Sequence, residues 1–135
     1  MTDKTVLLIE DNEGDEFLTR RALSRLDIPC HLVVARDGVE ALDYLSSLSR
    51  DDYHNLPACV LLDLKLPRID GLQVLQEIRT NLSTSLMPVM IVTSSAEESD
   101  VRAARQLGIA SYTVKPSNSS EYTEAIQKLV VGYLS

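Results

Sequence analysis

The sequence predicts an α/β fold: a doubly wound, five-stranded parallel sheet with five helices, in one domain over residues 1–135. Three observations carry this expectation. Short apolar runs (VLLI, LVVA, CVLL, VMIV and YTV) alternate with stretches whose apolar residues recur every three or four positions. The runs are rich in Leu and β-branched residues without an in–out alternation, as strands covered by helices on both faces would be. The length, 135 residues, suits one domain that buries roughly two-thirds of its unfolded surface, without help from disulfides.

The elements follow in order. Val6–Ile9 is the first strand, and Leu18, Ala22 and Leu26 mark an amphipathic helix over 14–26 that Pro29 ends. Leu32–Ala35 is the second strand. Asp37-Gly38 turns the chain into a helix with a stripe of Val39, Leu42 and Leu45, and the polar stretch SRDDYHNLP (49–57) reads as a loop. Cys59–Leu62 is the third strand, ending at Asp63. Pro67 and Asp70-Gly71 punctuate the connection to a helix marked by Leu72, Leu75 and Ile78. Pro88 opens the fourth strand, Val89–Val92, ending at Thr93. Ser94 and Ser95 are N-cap candidates for a helix through Leu107, with Glu97 and Glu98 in its first turn and Gly108 as its C′ residue. Tyr112–Val114 is the fifth strand, and Tyr122, Ile126, Leu129 and Tyr133 form the stripe of the last helix. Crossovers between parallel strands should be right-handed.

Composition narrows the function classes. A net charge of −7 disfavours nucleic-acid backbone or an anionic membrane as direct partner and leaves cation binding open. No apolar run approaches the ~20 residues needed to span a membrane. The start, MTDKTVLLIED, lacks a basic n-region and meets acids before an apolar core completes, so it does not read as a signal peptide. Cys30 and Cys59 have no C-x-x-C spacing and fit a reduced, cytoplasmic interior.

In open α/β sheets, ligands bind beyond the carboxyl ends of the strands. The first strand ends in Glu10-Asp11, the third in Asp63, the fourth in Thr93 and the fifth in Lys115. Three carboxylates, a hydroxyl and an ammonium therefore meet at one sheet edge. Crowded carboxylates suit a hard cation, and Mg²⁺ takes one or two of them together with phosphate oxygens and water. A carboxylate can also attack phosphorus, and the charge that develops there needs a metal, an ammonium and hydrogen-bond donors. The ordinary alternatives are a strand-end aspartate at Asp63, helix-start acids at Glu10-Asp11, a solvated lysine at Lys115, a plain N-cap at Thr93 and a core or surface ring at Tyr112.

Taken in order, the stretches LLIEDN, LLDLKLPRIDG, VMIVTSSA and SYTVKPS resemble the receiver domain of two-component response regulators, over Lys4 to Leu134. The resemblance implies a flavodoxin-like sheet of order 2-1-3-4-5 and a signalling protein rather than an enzyme. It makes Asp63 the phosphoacceptor. It gives Mg²⁺ to Asp11 directly, to Glu10 through water, and to Asp63 and the Lys65 carbonyl. It makes Thr93 the switch hydroxyl, Tyr112 the switch aromatic and Lys115 the holder of the phosphoryl group. The Lys115–Pro116 bond is expected to be cis. The implied donor is a sensor histidine kinase, or else the chain is a relay passing its phosphoryl group to a histidine phosphotransfer protein.

No output domain follows the last helix, so a stand-alone receiver is expected. The loop before the third strand, with TSSAEESDV and SYTVKPS, resembles the small regulators paired with bacterial and cyanobacterial phytochromes. A homodimer through the last helices is a further expectation, with Val130, Val131 and Leu134 beside the main stripe. Two positions depart from the commonest pattern: Glu10 stands where Asp is usual, and Lys65 stands two residues after the acceptor, where it is expected to slow dephosphorylation. His31 and His54 are assigned no role.

Rival chemistries fit less well. An EF-hand beginning at Asp11 would need Gly at position 16 and an acid at 22, where Glu16 and Ala22 stand. A flavin-phosphate cradle would not carry five acids after the first strand. An aspartate-nucleophile phosphatase would place a second Asp where Lys65 stands.

Overall fold

Residues 3–48 and 56–135 are described by the computed structural model. The apolar runs form β1 (Lys4–Ile9), β2 (Cys30–Ala35), β3 (Cys59–Leu62), β4 (Val89–Thr93) and β5 (Ser111–Val114). All neighbouring strands pair in parallel, in the order β2-β1-β3-β4-β5. Both the architecture and the strand order are those expected. Every residue of β3 and β4 is buried, as is the Val6–Ile9 stretch of β1. β2 and β5 lie at the two edges and are more open. β1 and β2 each begin two residues before their apolar runs, because Lys4↔Cys30 and Thr5↔His31 continue the ladder.

Five helices complete the fold: α1 (Glu13–Ser24), α2 (Gly38–Ser47), α3 (Gly71–Thr80), α4 (Glu98–Gln106) and α5 (Ser119–Leu134). Successive strand residues point to opposite faces, so the sheet has two cores. Leu7, Ile9, Val60, Leu62, Val89 and Ile91 pack with α2, α3 and Ala104 of α4. Val6, Leu8, Leu61, Met90 and Val92 pack with α1 and α5. Free Cys59 lies in this second core, where burial, with Cys30 nearby, pushes its thiol up to about 12.

Several helix starts are set by a side chain in the connection that precedes the helix. Asn12, Asp37, Asp70 and Asn118 each accept from a backbone N–H in the first turn of α1, α2, α3 and α5. α4 differs from expectation. Its N-cap position is Glu97, which makes no side-chain cap bond, and neither Ser94 nor Ser95 caps it. The Ser95 hydroxyl is drawn instead to the Asp100 carboxylate, and it accepts from Glu97 N at 3.3 Å. Gly108 does close α4, at φ 81°, with its N–H on the Arg105 carbonyl.

The buried stripes also sit slightly round from the expected ones. α1 buries Thr19, Ala22 and Leu23, with Leu18 and Leu26 only half-buried. In α5 the deep apolar residues after Tyr122 are Ile126, Val130 and Leu134, and Val131 is left exposed. Most of the 49–57 loop, with His54, lies outside the described residues. No helix among the described residues is long and apolar enough to cross a membrane.

Candidate functional site

β1 and β3 end side by side, with Ile9 opposite Leu62. The next residues, Glu10 and Asp63, are therefore forced together. Their backbones stay tied to the sheet: Glu10 N donates to Ala35 O at 2.9 Å and Asp63 N to Ile9 O at 3.1 Å. Across the sheet, Lys115 N donates to Thr93 O at 2.8 Å. Four sheet ends thus hold four side chains at one edge with little freedom.

The side chains converge. Glu10, Asp11 and Asp63 each bring a carboxylate oxygen within 4.8 Å of the other two. Glu10 and Asp63 are buried, at 2% and 6% exposure, whereas Asp11 is exposed to solvent. The Lys115 Nζ lies 2.8 Å from Glu10 Oε1 and 2.9 Å from Asp63 Oδ2. Lys65 N donates to Asp63 Oδ1 at 3.1 Å, and Asn12 N to Glu10 Oε2 at 3.2 Å. Thr93 is fully buried, and its hydroxyl oxygen accepts from Ser95 N at 3.4 Å.

These contacts pull the two buried acids apart in acidity. Burial pushes Glu10 up to about 7; the Lys115 hydrogen bond opposes this and the Asp63 charge adds to it. Burial also acts on Asp63, but the hydrogen bond and charge of the Lys115 ammonium, with the Lys65 N–H, hold it below the usual carboxylate range. Burial alone would lower Lys115, yet the carboxylates of Asp15, Glu10 and Asp63 raise it, so it is a fixed ammonium.

The donor set fits a divalent cation. Three hard carboxylate oxygens at this spacing, two of them on buried residues, match the ligands that Mg²⁺ and related ions prefer. The expected set of Glu10, Asp11, Asp63, Thr93 and Lys115 is thus brought together. Lys65 meets it through its main chain, while its side chain is exposed and makes no ion pair among the described residues. Tyr112 stands one step away: its hydroxyl donates to Ser95 O at 2.8 Å, on the loop that carries Thr93.

One expectation is corrected. No cis peptide bond occurs among the described residues, so Lys115–Pro116 is trans. That is the form an X–Pro amide favours by about 0.5–1 kcal/mol.

Two residues escaped the sequence reading. Asp15, a helix-start acid with no assigned role, reaches Lys115 Nζ at 2.7 Å. Nothing in its local sequence separates it from Glu16, which pairs with Arg20 and Arg36 instead. Gly71, read only as part of a turn, opens α3 directly against the Asp63–Leu64 backbone. Its signal was a glycine at a helix start rather than a helix end.

Comparison with known proteins agrees with this geometry. The family model described as the response regulator receiver domain matches residues 6–127. The chain belongs to the response regulator receiver family. It is a signalling domain rather than an enzyme with a separate substrate. The response regulator Rcp1 of Synechocystis sp. is 34% identical over 92% of this chain and 84% of its own length. FilR2 of Methanothrix harundinacea, named as a probable methanogenesis regulatory protein, is 36% identical over 92% of this chain and 79% of its own. Among solved structures, the Mn²⁺-bound form of Rcp1 superposes with a TM-score of 0.88 at 32% identity, covering 98% of this chain and 95% of that one. The phosphorylated cyanobacterial phytochrome response regulator RcpA superposes at 0.89 and 33% identity, covering 99% and 96%. This receiver is therefore similar to phytochrome-associated regulators.

Proposed function

We propose that this receiver is a Mg²⁺-dependent phosphoacceptor switch, with Asp63 as the acceptor and a sensor histidine kinase of the phytochrome type as donor. The observation that carries the reading is the pair of contacts at Asp63. Backbone Lys65 and the Lys115 ammonium both address one buried carboxylate held below the usual carboxylate range, with the buried Thr93 at the end of the neighbouring strand. An ionised carboxylate is a nucleophile, and its neighbours are the donors that phosphoryl transfer needs. Two relatives support it: Rcp1 has a Mn²⁺-bound structure, and RcpA a phosphorylated one.

In the transfer, an Asp63 oxygen forms a bond to phosphorus as the bond from the donor's histidine nitrogen breaks, and that nitrogen keeps the electron pair. Glu10, Asp11, Asp63 and the Lys65 carbonyl would hold Mg²⁺, which supplies positive charge to the phosphoryl oxygens. Lys115 turns from the Asp63 carboxylate to a phosphoryl oxygen. Thr93 follows the new acceptor, and the Ser95 carbonyl on the same loop carries the shift to Tyr112. The phosphoryl group thereby favours one arrangement of the α4–β5–α5 face over another.

The test is intact mass after treatment with acetyl phosphate, with and without Mg²⁺. Wild type should gain one phosphoryl group only with Mg²⁺, and Asp63→Asn none. A mutant that gains the group as readily as wild type refutes the assignment. The exposed Lys65 side chain is free to meet the phosphoryl oxygens and to slow attack by water. Lys65→Asn should then shorten the lifetime of the phosphorylated form, and an unchanged decay rate sinks that role.

A further inference from the structure

Lys115 is shared among more partners than the proposed chemistry requires. Its Nζ touches Glu10 and Asp63, both candidate metal ligands, and also Asp15, which lies outside the metal set. An ammonium has three donors, and here three carboxylates take them. A cation that enters among Glu10, Asp11 and Asp63 competes with Lys115 for two of those three. Expelled into solvent, the ammonium would no longer be at hand for phosphoryl oxygens.

Asp15 offers it another seat. It sits in the first turn of α1, with its backbone N–H fixed on Asn12 Oδ1 at 2.9 Å. Its side chain is 21% exposed, and its 2.7 Å contact is the shortest of the three that Lys115 makes. Helix α1 packs on α5 through the second core, and its cap residue Asn12 touches the site only through its backbone N–H on Glu10 Oε2. Asp15 is not one of the three clustered ligands, so this seat stays open when a cation takes Glu10 and Asp63.

We propose that Asp15 is a positioning residue that retains the Lys115 ammonium at the site when a divalent cation takes Glu10 and Asp63. This rests on the metal reading above and adds a reason for the acid on α1. Without Asp15, Lys115 would bind only to the metal ligands themselves and would compete harder with the ion. Removal of Asp15 should thus weaken metal binding through Lys115, and not merely by loss of one negative charge.

The test is isothermal titration of the metal-free protein with Mg²⁺, repeated with Mn²⁺. Asp15→Asn should weaken binding about fivefold, the worth of one part-exposed charge-assisted hydrogen bond. Glu16→Gln removes the same charge from the same turn but from a different ion pair, and should change the affinity less than about twofold. Asp15→Glu should restore most of the loss. In a Lys115→Met background the effect of Asp15→Asn should shrink below about twofold, because the seat then has no occupant. An equal loss in both backgrounds, or an equal loss from Glu16→Gln, overturns the proposal in favour of a general field. Asp11→Ala separates the two levels of the argument. If it leaves Mg²⁺ binding intact, the metal reading itself is wrong. If it abolishes binding while Asp15→Asn does nothing, only the role of Asp15 fails.

Discussion

Replacing Gly71 with Ala puts the backbone support of the acceptor to a direct test. A Cβ built on Gly71 would lie 2.4 Å from the Asp63 carbonyl oxygen, 2.5 Å from Leu64 Cα and 3.1 Å from the Asp63 carbonyl carbon. All three are backbone atoms and no rotamer change relieves them. Ordinary contact begins near 3.4 Å, so the chain must give by about 1 Å. Overpacking of this kind costs about 1–3 kcal/mol, and the Gly71 N to Leu64 O hydrogen bond of 2.9 Å, if stretched, costs about 1 more. Better helix propensity recovers less than about 1 kcal/mol. A net loss near 2–3 kcal/mol lowers the melting temperature of a domain this size by about 6–12 °C. Gly132, in the last turns of α5, has nothing within 4 Å of its virtual Cβ. Gly132→Ala should therefore raise the melting temperature by about 2–4 °C. Thermal unfolding followed by circular dichroism reads both. If Gly71→Ala melts within about 2 °C of wild type, α3 does not press on Asp63 as described.

Three other perturbations have defined outcomes. Burial holds the Glu10 carboxyl up to about 7 against an ordinary 4.5, so the folded state keeps a proton that the unfolded chain has lost. The stability this confers is fully present below 4.5 and is lost as pH rises to about 7; denaturant titrations of metal-free protein should show that fall, and Glu10→Gln should flatten it. Arg79 donates to the carbonyls of Leu107, Gly108, Ser85 and Met87, tying the end of α3 to the end of α4 and to the approach to β4. Arg79→Met should cost about 2–4 kcal/mol in urea unfolding, since it leaves the part-buried carbonyls of Leu107, Ser85 and Met87 without their donor; a loss under about 0.5 kcal/mol would mean that water replaces it fully. Tyr112→Phe removes the hydroxyl from the Ser95 carbonyl and should cost about 1 kcal/mol while leaving Mg²⁺ affinity unchanged, because Tyr112 touches the loop and not the carboxylates. A changed Mg²⁺ affinity would place the ring inside the site.

The sheet was legible because burial on both faces leaves an uninterrupted apolar run, as at CVLL and VMIV. The site was legible because each run stops at a residue that burial alone would not select, at Glu10, Asp63, Thr93 and Lys115. Strand starts were harder. Lys4 and Thr5 pair as well as Val6 does, but backbone hydrogen bonds leave no mark on side-chain chemistry. The cap of α4 was misread for a related reason. Ser95 is a good N-cap by type, but the nearby Asp100 carboxylate claims its hydroxyl. Asp15 was beyond reach from local pattern altogether. Its partner lies 100 residues along the chain, and the three acids Glu13, Asp15 and Glu16 differ only in which way α1 turns them.

That turn of α1 shapes the electrostatics of the whole edge. Four carboxylates, Glu10, Asp11, Asp15 and Asp63, face one ammonium. A phosphoryl donor is itself anionic, so the bare edge repels it. The excess is too large for Lys115 alone to offset, and the Asp63 charge adds to burial in pushing Glu10 up. A divalent cation held by Glu10, Asp11 and Asp63 would remove the excess and free Lys115 from two of its three partners. On this reading the order of events is set by charge alone: the cation comes before the phosphoryl group, because only then does an anion meet an edge that no longer repels it.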